Sequence, residues 1–269
     1  MTRISKIDIE LAQDGDAKAL ESLVRGIQDR VHKLALRMLA DPNAAQDATQ
    51  EILIRIVTKL STFRGDSSFE TWTYRVATNY LLTARKIIAN DPGLSFQMFA
   101  DDLLSGIADE QIAAPEEHVM LNELRLKCTM AMLLCLDREH RAAYVLGDVL
   151  EFEHGAAADV LDITPGTYRK RLSRARARVQ DFTAKTCGLA SPAAPCSCRK
   201  RLPAAMAVGR IGSSPSSDLS DMPRFAEIQA LASQTQTDLV AAKLQRATGP
   251  LRSPKDYAAD VLKLVEPPG

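Results

Sequence analysis

The sequence predicts an all-α fold: two helical domains joined by an acidic linker, the second a helix-turn-helix, followed by a partly helical C-terminal extension. Three observations lead there. Apolar residues recur at steps of three or four along most of the chain, and no stretch alternates convincingly as a strand. Pro, Gly and acidic residues interrupt the helical pattern over 91–115, as linkers do. Beyond Cys198, Pro203 and the Gly212-Ser-Ser-Pro-Ser-Ser stretch interrupt it again. A chain of 269 residues has room for two domains at roughly 100–200 residues each.

Taken in order, Leu20, Leu23, Ile27, Val31, Leu34 and Met38 lie on one helical face, with Asp16 as N-cap and Asp41-Pro42 as the stop. A second helix starts near Asn43 and carries Ile52, Ile56 and Leu60. Polar residues 61–68 break the pattern, and Ser67-Ser68-Phe69-Glu70 fits a capping box closed by Ser67 and Glu70. The helix it opens carries Phe69, Trp72, Val76 and Tyr80 on one stripe, which reads as core. These elements make residues 1–90 a helical bundle. After the linker, helical pattern runs from Glu116 to about Arg178. Thr164-Pro165-Gly166-Thr167 is a strong helix start, because Thr caps and Pro suits the first helical position. Tyr168, Leu172, Ala175 and Val179 then share one face, and Arg171, Arg174 and Arg178 another. With a short helix over Gly155–Val160 and a turn at Leu161-Asp162-Ile163, residues 116–182 read as a helix-turn-helix domain. Residues 183–269 form the extension, with short helices expected over Pro223–Gln245 and Asp256–Val265.

A formal net charge of zero conceals two opposite blocks. From Asp91 to Glu123 there are eight acids and no Lys or Arg; from Pro165 to Arg201 there are ten Lys or Arg and one acid, Asp181. Such blocks point to surfaces that meet different partners, one of them a polyanion. The most apolar run, Met130–Leu136, is far short of the roughly 20 residues that span a bilayer, and the first residues lack a signal-peptide core. Five cysteines, an odd number, do not suggest a secreted disulfide framework, so the chain reads as cytoplasmic with no membrane partner. No nucleophile–base pair or phosphate loop supports an enzyme.

Two stretches carry a family resemblance. Ile163-Thr-Pro-Gly-Thr-Tyr-Arg-Lys-Arg-Leu-Ser-Arg-Ala-Arg-Ala-Arg178 resembles the C-terminal promoter-binding region of extracytoplasmic-function sigma factors. Ala45-Gln-Asp-Ala-Thr-Gln-Glu51 through Leu60, with Thr62-Phe-Arg-Gly-Asp-Ser-Ser-Phe-Glu-Thr-Trp-Thr-Tyr-Arg-Val-Ala-Thr-Asn79, resembles that family's other conserved region nearly residue for residue. The resemblance implies core RNA polymerase and promoter DNA as partners, an anti-sigma factor as a further class of partner, and no catalysis. It assigns Asp47, Gln50 and Glu51 to polymerase docking. It assigns the segment Phe63–Asn79 to capture and melting of the −10 element, not each aromatic to a base; Trp72 and Asn79 are its candidate DNA contacts, alongside the core role for Trp72, and Arg64, Arg75, Arg85 and Lys86 are expected to contact phosphates. Thr167, Arg169, Lys170, Arg171, Arg174 and Arg178 would read the −35 element. The chain departs from the family in having Thr83-Ala84 before Arg85-Lys86, Asp162 where Gly is usual, and Tyr168-Arg169-Lys170. The main rival is a stand-alone helix-turn-helix regulator, which leaves the first stretch unexplained, and a second is a redox or metal-sensing protein built around the late cysteines.

Cys187, Cys196 and Cys198 lie within twelve residues beside Arg199-Lys200-Arg201. They suggest zinc or a reversible disulfide, against a basic Pro-rich turn with incidental cysteines. The neighbouring cations are expected to lower the thiol pKa values. Cys128 and Cys135 read as core. The whole extension is expected to be regulatory, folding back on the DNA-binding domains or contacting polymerase.

Overall fold

A computed structural model describes residues 5–108, 117–212, 223–248 and 251–265, and its regular elements are helices. In chain order these are α1 (Lys6–Gln13), α2 (Ala17–Leu39), α3 (Pro42–Thr58), α4 (Phe69–Thr83), α5 (Arg85–Ala89), α6 (Phe96–Leu104) and α7 (Glu117–Leu134). Then follow α8 (Arg138–Tyr144), α9 (His154–Leu161), α10 (Pro165–Thr186), α11 (Cys198–Ala207), α12 (Phe225–Ser233), α13 (Thr237–Arg246) and α14 (Ala258–Val265). A π-helical turn, Val145–Val149, continues α8. The residues divide into two units, one of 1–91, 153–168 and 251–269, the other of 92–152 and 169–250. Among the described residues no helix is long and apolar enough to cross a membrane.

The first unit is organised by α2 and α3. Leu23, Val24, Ile27, Val31, Leu34, Ala35 and Met38 of α2 meet Ala45, Ala48, Ile52, Leu53 and Ile56 of α3, each at most 2 % exposed. The caps set where these helices begin. Asp16 accepts the Ala19 N–H at 2.8 Å, and Asp41 accepts that of Ala44 at 2.7 Å with Pro42 at the first position. Between them Ala40 ends α2 in the left-handed region at φ 53°.

Two expectations for α4 need correction. Ser68, not Ser67, caps it, accepting the Thr71 N–H at 3.0 Å, while Glu70 pairs with Arg30 at 3.1 Å. The helix begins one residue later than the capping-box pattern implied. Its buried stripe is Thr71, Tyr74, Ala77, Thr78 and Leu81, and the Phe69, Trp72, Val76 and Tyr80 stripe is only half-buried. Helix α9 packs along α4, where Arg75 Nε donates to the Asp159 carbonyl at 2.8 Å. Asp162 closes α9 at φ 54°, a conformation glycine enters without strain and Asp tolerates better than most residues.

In the second unit α7 is the spine. Met120, Leu121 and Leu124 join Leu202 and Ala205 of α11, Phe225 of α12, and Ile211 between those helices in one apolar cluster. Ala190, Ile228, Ala232, Val240 and Leu244 form another. The linker expectation fails over 96–104, where Ser95 caps α6 and Phe96 and Phe99 lie 5.2 and 5.4 Å from the Phe182 ring. Asp102 of α6 ion-pairs with Arg201 and Arg210. Residues 109–115 of the acidic stretch lie outside the described residues. The extension is more helical than its sequence suggested, since α11 and both α12 and α13 precede α14.

Candidate nucleic-acid interface

Helix α3 turns its apolar side to α2, and α4 and α14 also pack against it, which leaves one ridge open to solvent. Asp47 and Glu51 are exposed there, with Gln50 half-buried between them. The series continues at the same spacing of four with exposed Arg55 and Lys59, an inclined ridge that is acidic in its first half and basic in its second. Lys86 of α5 reaches Asp47 Oδ2 at 3.0 Å, with both side chains about two-thirds exposed at 69 % and 67 %. A pair that open to water exchanges readily for another partner. Lys86, read from the sequence as a DNA contact, thus lies against the acidic half of the ridge.

The basic half lines a cleft of about 500 Å³ with α4, walled by Arg55, Lys59, Trp72, Arg75, Asn79 and Tyr80. Three cations there accompany two aromatic faces and an amide. Arg55 lies over the Tyr80 ring at 4.9 Å. The Trp72 ring lies 5.6 Å from Phe63 and is stacked on Phe69 at 5.7 Å, so one side of the indole is fixed by packing. Such a site holds an unstacked base between aromatic and apolar faces while cations neutralise its phosphates. The structure thus brings Trp72, Arg75 and Asn79 together. Arg64 and Arg85 are exposed and outside the cleft lining. Arg55 and Lys59 were missed by sequence reasoning, although their spacing from Asp47 and Glu51 was a signal.

In α10 the expected division holds. Tyr168, Leu172, Ala175 and Val179 are at most 1 % exposed, and the Thr164 hydroxyl accepts the Thr167 N–H at 3.2 Å. Thr167, Arg169, Lys170 and Arg174 are exposed. Arg171 is paired with Glu139 at 2.6 Å, and Arg178 lies 3.7 Å from Asp137. Arg176, not singled out from the sequence, holds the buried Asp148 through Nε contacts of 2.9 and 2.8 Å and so orients the helix.

The cysteine segment departs from expectation. All five cysteines are free thiols, and among the described residues no three His, Cys, Asp or Glu side chains are grouped to hold a metal ion. The zinc reading of Cys187, Cys196 and Cys198 therefore finds no site there. Nor are the thiol pKa values lowered overall: burial pushes Cys187 and Cys198 up, and it raises Cys196 to about 11 despite the opposing effect of Arg201. What the segment does have is backbone order. Cys187 and Cys196 form a β-bridge, and Gly188 N–H donates to the Cys196 carbonyl at 2.8 Å. A Cβ on Gly188 would stand 2.7 Å from that oxygen, so only glycine fits.

Comparison with known proteins gives the family. Residues 23–86 match the Sigma-70 region 2 family, and residues 126–179 match Sigma-70 region 4. The ECF RNA polymerase sigma-E factor of Escherichia coli K12 is 32 % identical over 178 residues, covering 64 % of this chain and 91 % of that protein. The chain belongs to the extracytoplasmic-function sigma factors. The RNA polymerase sigma-H factor of Pseudomonas aeruginosa PAO1 is 31 % identical over 171 residues, 62 % of this chain and 88 % of its own. A solved structure of the Bartonella quintana sigma factor RpoE with the anti-sigma factor NepR matches with TM-score 0.45 and 19 % identity, over 61 % of this chain and 96 % of that one. As a sigma factor this protein is not an enzyme. It binds core RNA polymerase and directs promoter-specific initiation, with regions 2 and 4 recognising the −10 and −35 elements.

Proposed function

We propose that the sigma factor divides its work along the α3 ridge and α10. Residues 1–90 bind polymerase and melt the −10 element, and residues 116–182 read the −35 element. Asp47, Gln50 and Glu51 dock on core polymerase, where fixed acceptors four residues apart suit Arg or Lys of the partner. Trp72, Arg75 and Asn79, with Arg55 and Lys59, take the displaced −10 strand in the adjoining cleft. Arg64, Arg85 and Lys86 contact flanking phosphates. Thr167, Arg169, Lys170 and Arg174 address upstream DNA, with Arg171 and Arg178 exchanging Glu139 and Asp137 for phosphates. The protein acts in the cytoplasm. The observation that carries this reading is the change of sign along one exposed helical ridge, Asp47 and Glu51 to Arg55 and Lys59.

The test is charge reversal of Asp47 and Glu51 to Lys in the full chain. Core-polymerase binding and run-off transcription should be lost while helical content, read by circular dichroism, is retained. Unchanged affinity for core enzyme would remove the docking assignment, and with it the functional meaning of the ridge.

A further inference from the structure

The C-terminal segment belongs to the same unit as α2 and α3 and lies on them. Ser253 N–H donates to Asp29 Oδ1 at 2.8 Å, and Tyr257 N–H to Gln28 Oε1 at 2.9 Å. Arg25 Nε donates to Asp256 Oδ2 at 2.8 Å. Tyr257, just before α14, and Ala258 and Val261 of that helix are each 0 % exposed. The Tyr257 hydroxyl donates to the Gln46 carbonyl at 3.3 Å, one residue before Asp47. Tyr257 and Gln46, 211 positions apart, thus meet at the start of the acidic half of the ridge.

We propose that residues 251–265 are a built-in antagonist of core polymerase, seated on the α2–α3 face beside Asp47 and displaced when polymerase docks. The proposal rests on the docking role given above to Asp47, Gln50 and Glu51. Asp47 itself stays about two-thirds exposed at 67 %, so the segment does not cover it but borders it, and a body as large as polymerase closing over Asp47 meets the segment at that border. The segment is well suited to yield. It is short, and its Arg25–Asp256 pair is solvent-exposed. Being tethered, it competes at a high effective concentration without tight intrinsic affinity. If the open form makes up about 1–10 % of molecules, the apparent affinity for polymerase falls about 10–100-fold.

The experiment uses the full-length chain. Tyr257→Asp with Val261→Asp should release the segment, seen as faster hydrogen exchange in 253–265, and tighten core-polymerase binding about 10–100-fold. Asp256→Lys, a milder surface change, should tighten it less, and serves if the double variant misfolds. A synthetic peptide of residues 251–265, added in trans to the released variant, should weaken binding again. Release of the segment with unchanged or weaker affinity overturns the proposal. Asp47→Lys with Glu51→Lys separates the two readings. If that variant still binds polymerase, the docking assignment fails, whereas the response to segment release is read independently.

Discussion

The Thr49 hydroxyl donates to the Ala45 carbonyl at 2.6 Å, so what it offers the neighbouring His32 Nδ1 at 3.2 Å is a lone pair. His32 must then carry its proton on Nδ1, as a neutral imidazole 5 % exposed between α2 and α3. Burial holds its pKa below the usual 6.5. Above the unfolded value of about 6.5 both states are neutral and His32 has no effect on the pH dependence of stability. As pH falls through that value the unfolded chain takes a proton the folded one refuses, so stability declines towards the folded pKa. Denaturant midpoints of the parent should therefore drop between about pH 7 and pH 5, and His32→Gln should flatten that slope. An identical slope in the variant would refute the assignment. Neither this role nor the true core face of α4 was legible in the sequence. His32 is one of four scattered histidines. On α4 the buried Thr71, Thr73 and Thr78 counted as polar, which left Phe69, Trp72, Val76 and Tyr80 as the more conspicuous stripe. Both stripes have helical spacing, and only packing partners far away in sequence decide between them.

At the scale of elements, the caps and stops were legible because they are local. Asp16, Asp41-Pro42 and Thr164-Pro165 each act on the next few residues. What escaped was order created by distant contact, as in α6 and the extension. Arg125 is the clearest case. It is 1 % exposed on α7, and burial lowers its pKa to about 10, which leaves it charged at neutral pH. Its Nη1 and Nη2 donate to the Leu244 and Ala247 carbonyls at 2.8 and 2.7 Å, closing the end of α13. Charged hydrogen bonds of this kind contribute about 1.5–3 kcal/mol each, and the bared carbonyls would remain buried. Arg125→Met should thus destabilise the protein by about 3 kcal/mol. Hydrogen exchange should speed up in α13 first and leave α2 and α3 protected. A loss below about 1 kcal/mol would mean that water replaces the guanidinium and that α13 is held by its apolar contacts alone.

For the whole molecule, a net charge of zero says little, because function follows where the charge lies along the chain. In α10 the exposed candidates Thr167, Arg169, Lys170 and Arg174 lie at different distances from the helix start, which suggests different tasks. A recognition helix presents its first turns to base edges, while residues farther along lie against the backbone. Arg169 is four residues beyond Pro165, and Arg174 nine. Arg169→Ala should therefore cost about 1–3 kcal/mol on the preferred upstream sequence and relax discrimination at one base pair. Arg174→Ala should weaken all sequences alike and reduce the slope of log affinity against log salt by about 0.9. Arg171 and Arg178 already hold Glu139 and Asp137, so either contact with DNA trades one ion pair for another. Their replacement should change the salt slope less than Arg174→Ala does. The measurement is binding of polymerase holoenzyme to matched and single-mismatch upstream elements over a range of salt. If Arg169→Ala and Arg174→Ala shift affinity and salt slope equally, base reading and phosphate contact are not divided along α10, and the helix lies in the groove at a different angle.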